Sequence, residues 1–187
     1  MSPINILITG GARSGKSHFA HQLALKLGKL VFFVATATAG DEEMRQRIEE
    51  HRRNRPAAWN TLEATTNIGN RISREIGGAE VVIVDCITLL VSNIFGQNSH
   101  QTDEQIDVPL VEKKVTDEIN QLLKCIDRID ASFIIITNEV GLGLVPANKM
   151  SRLYRDLLGR ANQMLAEHAD EVYLMVTGLP VKIKPAS

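Results

Sequence analysis

Short runs of β-branched and aliphatic residues alternate along this chain with stretches whose apolar residues recur every three or four positions. That alternation restricts the fold more than any other feature. Ile4–Thr9 (INILIT), Leu30–Ala35 (LVFFVA), Val81–Val84 and Phe133–Thr137 are continuous apolar runs, the mark of strands buried on both faces. Trp59–Glu63 and Glu171–Thr177 read as further strands, with Val181–Ile183 as a short edge. Between them, Lys16–Leu27, Ile68–Ile76, Thr88–Phe95, Val108–Ile129 and Arg152–His168 carry helical spacing. Glu42–Arg53 is also helix-prone, ending near Asn54 because Pro56 disfavours helical geometry at Arg55. Gly96–Asp107 is polar and aperiodic and reads as a mobile loop. Strands of this kind separated by helices form a largely parallel sheet covered on both faces, a three-layer α/β/α sandwich. The 187 residues show no repeat or linker, so one domain over 1–187 is expected.

Composition narrows the function classes. An apolar fraction of 44% supplies a packed core and excludes wholesale disorder. With 21 Lys+Arg against 22 Asp+Glu, there is no general basic field for nucleic-acid binding. The longest apolar stretch, Leu30–Ala39, is too short for a bilayer, which needs about 20 residues. The opening MSPINILITGG has neither the basic nor the apolar region of a secretory signal, so a cytoplasmic location is expected. Cys86 and Cys125 form no CxxC pattern, which argues against a disulfide framework or a cysteine zinc site.

INILIT runs straight into Gly10-Gly11-Ala12-Arg13-Ser14-Gly15-Lys16-Ser17, a complete match to G-x-x-x-x-G-K-[ST] between a strand and a helix. Glycines let backbone N–H groups converge on phosphate oxygens, and the following helix adds its dipole. Lys16 is expected at the β/γ-phosphates of a nucleoside triphosphate and the Ser17 hydroxyl at Mg²⁺. Asp85, ending VVIVD, has the position of a second Mg²⁺ ligand, a carboxylate, on a strand expected beside the phosphate-loop strand. The plainer role for Asp85 is to cap the turn toward Thr88.

The segment Arg45-Gln-Arg-Ile-Glu-Glu-His51-Arg-Arg-Asn-Arg-Pro places Arg47 one helical turn before His51. Surrounding cations disfavour imidazolium, so His51 is expected to be neutral near pH 7. A neutral imidazole among phosphate-binding arginines is a competent nucleophile toward phosphorus. From charge alone, however, the segment reads as a solvated helix face with an incidental histidine. His18, His21, His100 and His168 have no ligand spacing and read as surface residues.

The order ITGGARSGKS, Ala35-Thr36, R-I-x-x-H-R-x-x-R-P-x-x-W, T-x-E, D-C-I-T, TNEVGLGLVP, GRANQ and VTGLPVKIK runs almost end to end. In it the chain resembles the bifunctional adenosylcobinamide kinase/adenosylcobinamide-phosphate guanylyltransferase family of cobalamin biosynthesis. The resemblance implies a RecA-like P-loop NTPase fold and two reactions. In the first, ATP or GTP phosphorylates adenosylcobinamide. In the second, a histidine captures GMP from GTP and passes it to adenosylcobinamide phosphate, giving adenosylcobinamide-GDP. That histidine matches His51, with Lys16 as the other catalytic residue. The implied nucleotide contacts are Gly10, Gly11, Ala12, Arg13, Ser14, Gly15, Lys16, Ser17, Ala35, Thr36, Ala37, Arg52, Arg53, Asn54, Arg55, Glu63 and Asp85. Ser17 and Asp85 fall at Mg²⁺. Some members have a second histidine where this chain has Glu50, and members often carry glutamate in place of Asp85. A homo-oligomer, with a trimer as the expected form, is implied as well. Arg160, Asn162 and the loop Asn138–Pro146 are expected at the corrinoid or, more plainly, in caps and turns. Two other functions fit the phosphate loop: a small-molecule kinase of this fold without a covalent nucleotide, and a nucleotide-dependent regulatory switch.

Overall fold

The computed structural model describes residues 2–40, 42–53, 55–97 and 106–185, without the side chains of Glu43, Arg47 and His51. From the N-terminus the elements are β1 (Asn5–Gly10), α1 (Lys16–Leu27), β2 (Val31–Ala35), α2 (Glu42–Arg53), β3 (Asn60–Glu63), α3 (Ile68–Glu75) and β4 (Val81–Asp85). They continue with α4 (Ile87–Gln97), α5 (Val108–Arg128), β5 (Ser132–Ile136), α6 (Lys149–His168), β6 (Glu171–Val176) and β7 (Leu179–Lys184). The strands form one seven-stranded sheet in the order β3-β2-β4-β5-β1-β6-β7. Every pairing is parallel except that of β6 with β7.

Alternation along the central strands builds two cores. Leu7, Phe32, Val34, Val82, Val84, Phe133 and Ile135 face one side and pack with residues of α3, α4, α5 and α6, among them Ile72, Leu90, Ile119, Leu122 and Leu158. Ile6, Ile8, Phe33, Ile83, Ile134 and Ile136 face the other side with Ala20 and Ala24 of α1 and with Trp59. The two alanines are fully buried, and their small side chains let α1 lie close on the sheet. At the amino-terminal edge, the Glu80 carboxylate accepts from the N–H groups of Lys29 and Leu30 at 2.6 and 3.2 Å. Those two bonds hold its pKa below the ordinary glutamate value.

The helices are fastened by contacts between segments distant in sequence. Glu118 of α5 is buried and accepts from the N–H groups of Asn67 and Ile68, both at 2.8 Å, so a side chain of one helix caps another. A Cβ on Gly69 would meet the Gln121 carbonyl oxygen at 2.5 Å, which explains glycine where α3 crosses α5.

Several boundaries differ from the sequence expectation. α4 begins at Ile87 and continues through Gly96 to Gln97, because the Cys86 carbonyl already accepts from Leu90 N–H at 3.1 Å. α6 begins at Lys149, three positions before Arg152, since the Asn148 side chain caps Ser151 N–H at 2.7 Å. The expected short edge strand is the six-residue β7. Of the expected loop Gly96–Asp107, residues 98–105, including His100, lie outside the described residues. The strand carrying Asp85 is also not beside β1. β5, buried throughout, pairs with both β4 and β1 and separates them.

Candidate active site

Strand register brings the candidate residues to one edge. Glu63 of β3 is level with Ala35 of β2, Ala35 with Asp85 of β4, and Asp85 with Ile136 of β5. Ile136 is in turn level with Ile8 of β1, two residues before Gly10. The phosphate loop, Ala35, Glu63 and Asp85 therefore share the carboxyl edge of the sheet, where open α/β sheets bind ligands.

The loop's backbone requires its glycines. Gly10 and Gly15 have φ of 144° and 93°, and a Cβ on Gly10 would lie 2.6 Å from the Met175 carbonyl oxygen. The loop is braced from both sides. Glu139 N–H donates to the Gly10 carbonyl and Gly178 N–H to the Ser14 carbonyl, each at 3.1 Å. Lys16 is only 8% exposed, and its ammonium donates to the carbonyls of Gly10 at 3.1 Å and Gly11 at 2.5 Å. Burial lowers its pKa from the ordinary lysine value, against the opposing pull of Asp85.

Ser17 and Asp85 meet despite the intervening strand: the Ser17 hydroxyl donates to Asp85 Oδ2 at 3.0 Å. A hydroxyl and one carboxylate at the mouth of a phosphate loop are a fitting donor set for Mg²⁺, which takes few protein ligands and fills its shell with phosphate oxygens and water. Among the described residues no group of three or more His, Cys, Asp or Glu side chains gathers to hold a metal.

Thr36, expected as a nucleotide contact, is fully buried. Its hydroxyl donates to the Cys86 carbonyl at 2.7 Å and accepts from Cys86 N–H at 2.8 Å, so the side chain ties β2 to β4. The neighbouring Ala35 and Ala37 are half-buried. The Cys86 thiol is buried and pushed up to about 12, which leaves it a packing residue.

At the far end of the edge, Arg52, Arg55, Pro56, Ala57, Trp59, Thr61 and Glu63 line a pocket of about 260 Å³. Arg52, in the last turn of α2, pairs with Glu63. The Arg55 guanidinium lies over the Phe33 ring, 3.7 Å from its centroid, and donates to Thr61 Oγ1 at 3.3 Å. Arg55 Nε is buried with no hydrogen-bond partner among the described residues, an uncommon cost for a guanidinium nitrogen. Burial also lowers the Arg55 pKa, with Asp85 acting in the opposite sense. His51 immediately precedes Arg52 in α2, Arg53 is exposed, and Asn54 lies outside the described residues.

The structure adds Trp59 and Thr61 to the site. Trp59 is the chain's single tryptophan, stacks near Phe33 at 6.2 Å and meets His21 edge-on at 4.8 Å. A lone tryptophan just after an arginine cluster was the available sequence signal. His21 is half-buried in this aromatic group and is not the surface residue expected. Arg160 pairs with Glu112 at 2.9 Å. Asn162 accepts from the Thr137 hydroxyl at 2.7 Å and donates to the Asn138 carbonyl at 3.1 Å, bracing the loop after β5.

A family model for cobinamide kinase / cobinamide phosphate guanyltransferase matches residues 6–183. The chain belongs to this family. It is 41% identical over 180 residues to the bifunctional adenosylcobalamin biosynthesis protein CobU of Salmonella typhimurium, covering 96% of this chain and 99% of that one. The CobU protein of Escherichia coli stands at the same identity and coverage. CobP of Pseudomonas aeruginosa is 39% identical over 178 residues, 95% of this chain and 96% of its own. The chain is thus a bifunctional enzyme of the cobalamin-biosynthesis family. Among solved structures it resembles the ATPase EscN of the enteropathogenic E. coli type III secretion system. That match has a TM-score of 0.54 at 12% identity and covers 96% of this chain and 48% of that one. It also resembles the ATP synthase subunit NeqB of Nanoarcheaum equitans, with a TM-score of 0.51 at 10% identity over 92% of this chain and 45% of that one. These two likenesses concern the fold, which is that of P-loop NTPases. No helix among the described residues is long and apolar enough to cross a membrane.

Proposed function

We infer that this chain, as one domain over residues 1–187, phosphorylates adenosylcobinamide with ATP or GTP and then transfers GMP from GTP to the product through His51. The observation that carries this reading is a pair of anion-binding arrangements on one sheet edge. One is the Lys16 loop; the other is the pocket of Arg52, Arg55 and Glu63. A kinase alone needs the first. The second lies beside the turn of α2 that carries His51, joined to β3 by the Arg52–Glu63 pair.

In the kinase step the loop's N–H groups and Lys16 hold the triphosphate and neutralise charge as the γ-phosphoryl group leaves. Bound Mg²⁺, held by Ser17 and Asp85, would supply further neutralisation of phosphate charge. In the second step an imidazole nitrogen of His51 bonds to the α-phosphorus as the α–β bridging bond breaks and pyrophosphate departs. The phosphate of adenosylcobinamide phosphate then displaces the imidazole, giving adenosylcobinamide-GDP. Arg55 Nε, which has no partner among the described residues, is a donor suited to a nucleotide oxygen, and the Glu63 carboxylate is an acceptor for base N–H groups. The enzyme acts in the cytoplasm as a homo-oligomer on small-molecule substrates.

Incubation with α-labelled GTP, Mg²⁺ and adenosylcobinamide tests the reading, followed by denaturation and mass spectrometry of protein and corrinoid. Label is expected on His51 and absent after His51→Ala. Phosphorylated corrinoid with no label on the protein would leave a simple kinase, and nucleotide binding with neither product would leave a switch.

A further inference from the structure

Phosphorylation of an alcohol needs a group that takes the hydroxyl proton, and a carboxylate fixed beside the phosphate loop suits that role. Of the carboxylates on the carboxyl edge of the sheet, Glu63 is paired with Arg52 and Asp85 receives the Ser17 hydroxyl. Glu139, the third residue after β5, lies on the same edge. Among the described residues no cation and no hydroxyl engages its carboxylate, whose one bond is to a backbone N–H.

The main chain around Glu139 is firmly held. Glu139 N–H and the Lys16 ammonium both donate to the Gly10 carbonyl, each at 3.1 Å, so a single oxygen atom joins this residue to the ammonium of the phosphate loop. The preceding Asn138 donates its N–H to Thr88 Oγ1 at 2.7 Å and accepts at its carbonyl from Asn162 Nδ2 at 3.1 Å. The side chain is aimed by a glycine. Gly141 N–H donates to Glu139 Oε1 at 2.5 Å, and a Cβ on Gly141 would stand 2.9 Å from that oxygen. Glu139 is half-buried, and its Oε2 has no partner among the described residues, which leaves one carboxylate oxygen ready to accept. Leu142, Leu144 and Val145 follow directly and are exposed.

We propose that Glu139 is the general base of the kinase step, its Oε2 taking the proton of the acceptor's hydroxyl. This rests on the kinase half of the reading above. The acceptor's hydroxyl oxygen bonds to the γ-phosphorus as the β–γ bridging bond breaks. Nucleoside diphosphate leaves, the hydroxyl proton passes to Glu139, and the resulting carboxylic acid returns it to solvent. Lys16 and the loop's amides serve the nucleotide side of the transferring group, and Glu139 serves the acceptor side. An alcohol carried on a large apolar body suits this place, because Leu142, Leu144 and Val145 offer that body an apolar flank beside the base.

The test measures ATP-dependent phosphorylation of adenosylcobinamide and thermal unfolding of the full chain, with Glu139→Gln and Gly141→Ala. Glutamine keeps an oxygen for Gly141 N–H and a partner for the hydroxyl, but it cannot take the proton. Glu139→Gln is expected to lower kcat about 100-fold, with Tm and the KM for ATP and for adenosylcobinamide unchanged. In Gly141→Ala the new Cβ displaces the flexible end of the glutamate and leaves the fold in place, so kcat should fall about 10-fold at constant Tm. Wild-type kcat in Glu139→Gln would overturn the proposal and leave the kinase reading intact. A fall in Tm or a raised KM for ATP in that variant would overturn it as well, making Glu139 a brace of the phosphate loop. A raised KM for adenosylcobinamide at unchanged kcat would overturn the proton transfer and leave only acceptor binding. Full activity in Gly141→Ala would overturn the position given to the carboxylate. A wild-type chain that fails to phosphorylate adenosylcobinamide would sink the kinase reading, and this proposal with it.

Discussion

The phosphate loop and helix α2 both bring positive charge to the carboxyl edge of the sheet, but they are held in opposite ways. The loop follows a buried strand, is hydrogen-bonded from two sides, and keeps Lys16 almost wholly out of water. α2 shows mostly exposed side chains, with Met44 and Ile48 half-buried, and its last turn meets the site through the Arg52–Glu63 pair. Both partners of that pair are more than half exposed, so it adds little stability. The contrast suits the two chemistries. Phosphoryl transfer in a fixed loop relies on donors that need not reorganise. In the proposed mechanism His51 acts first on GTP and then on a second phosphate, and such a residue benefits from a lightly anchored support.

The largest expected effect falls on the rigid side. Lys16→Ala should lower the kinase rate by about 10²–10³-fold in a steady-state assay. A loss below tenfold would break the comparison by showing that the buried ammonium is not a principal phosphate ligand. Next comes stability. Ile83→Ala, in the fully buried centre of β4, should cost about 2–5 kcal/mol in denaturant unfolding, whereas Ile48→Ala in α2 should cost under about 1 kcal/mol. Equal costs would mean that α2 is an integral part of the core.

Glu63→Gln is expected to lower protein guanylylation about tenfold while changing unfolding free energy by less than about 1 kcal/mol. A large stability loss with normal labelling would reverse the assignment of the Arg52–Glu63 pair from site to scaffold. The smallest effect concerns pH. Because burial lowers the folded-state pKa of Lys16 below its unfolded value, the unfolded chain binds more protons between those two values. Stability therefore rises with pH through that interval, up to the ordinary lysine pKa of 10.5. Lys16→Met removes the titration, so the variant should be the more stable below the interval and its advantage should shrink as pH rises. A constant difference between the two unfolding curves would show that Lys16 is not significantly desolvated.

Much of the fold was legible because it is written in local patterns. Continuous runs such as Val81–Val84 mark strands buried on both faces, and the three-to-four spacing from Val108 onward marks α5. Less legible were features whose partners lie far away in sequence. Nothing near Asp85 indicates that β5 separates its strand from β1, or that Ser17, 68 positions earlier, still reaches its carboxylate. Thr36 appears in a motif yet serves as a strut between β2 and β4. Trp59 and Thr61 joined the pocket only once β3 was paired with β2.

By itself the sequence determined the alternating layers, the phosphate loop with its lysine and serine, and the family, because each of these rests on residues contiguous in the chain or in a fixed order along it. Tertiary structure alone decided the strand order, the alignment of Glu63, Ala35 and Asp85 on one edge, and the bracing of the phosphate loop by the turn between β6 and β7. Those depend on which strands share hydrogen bonds, a choice made by burying apolar faces across the whole molecule.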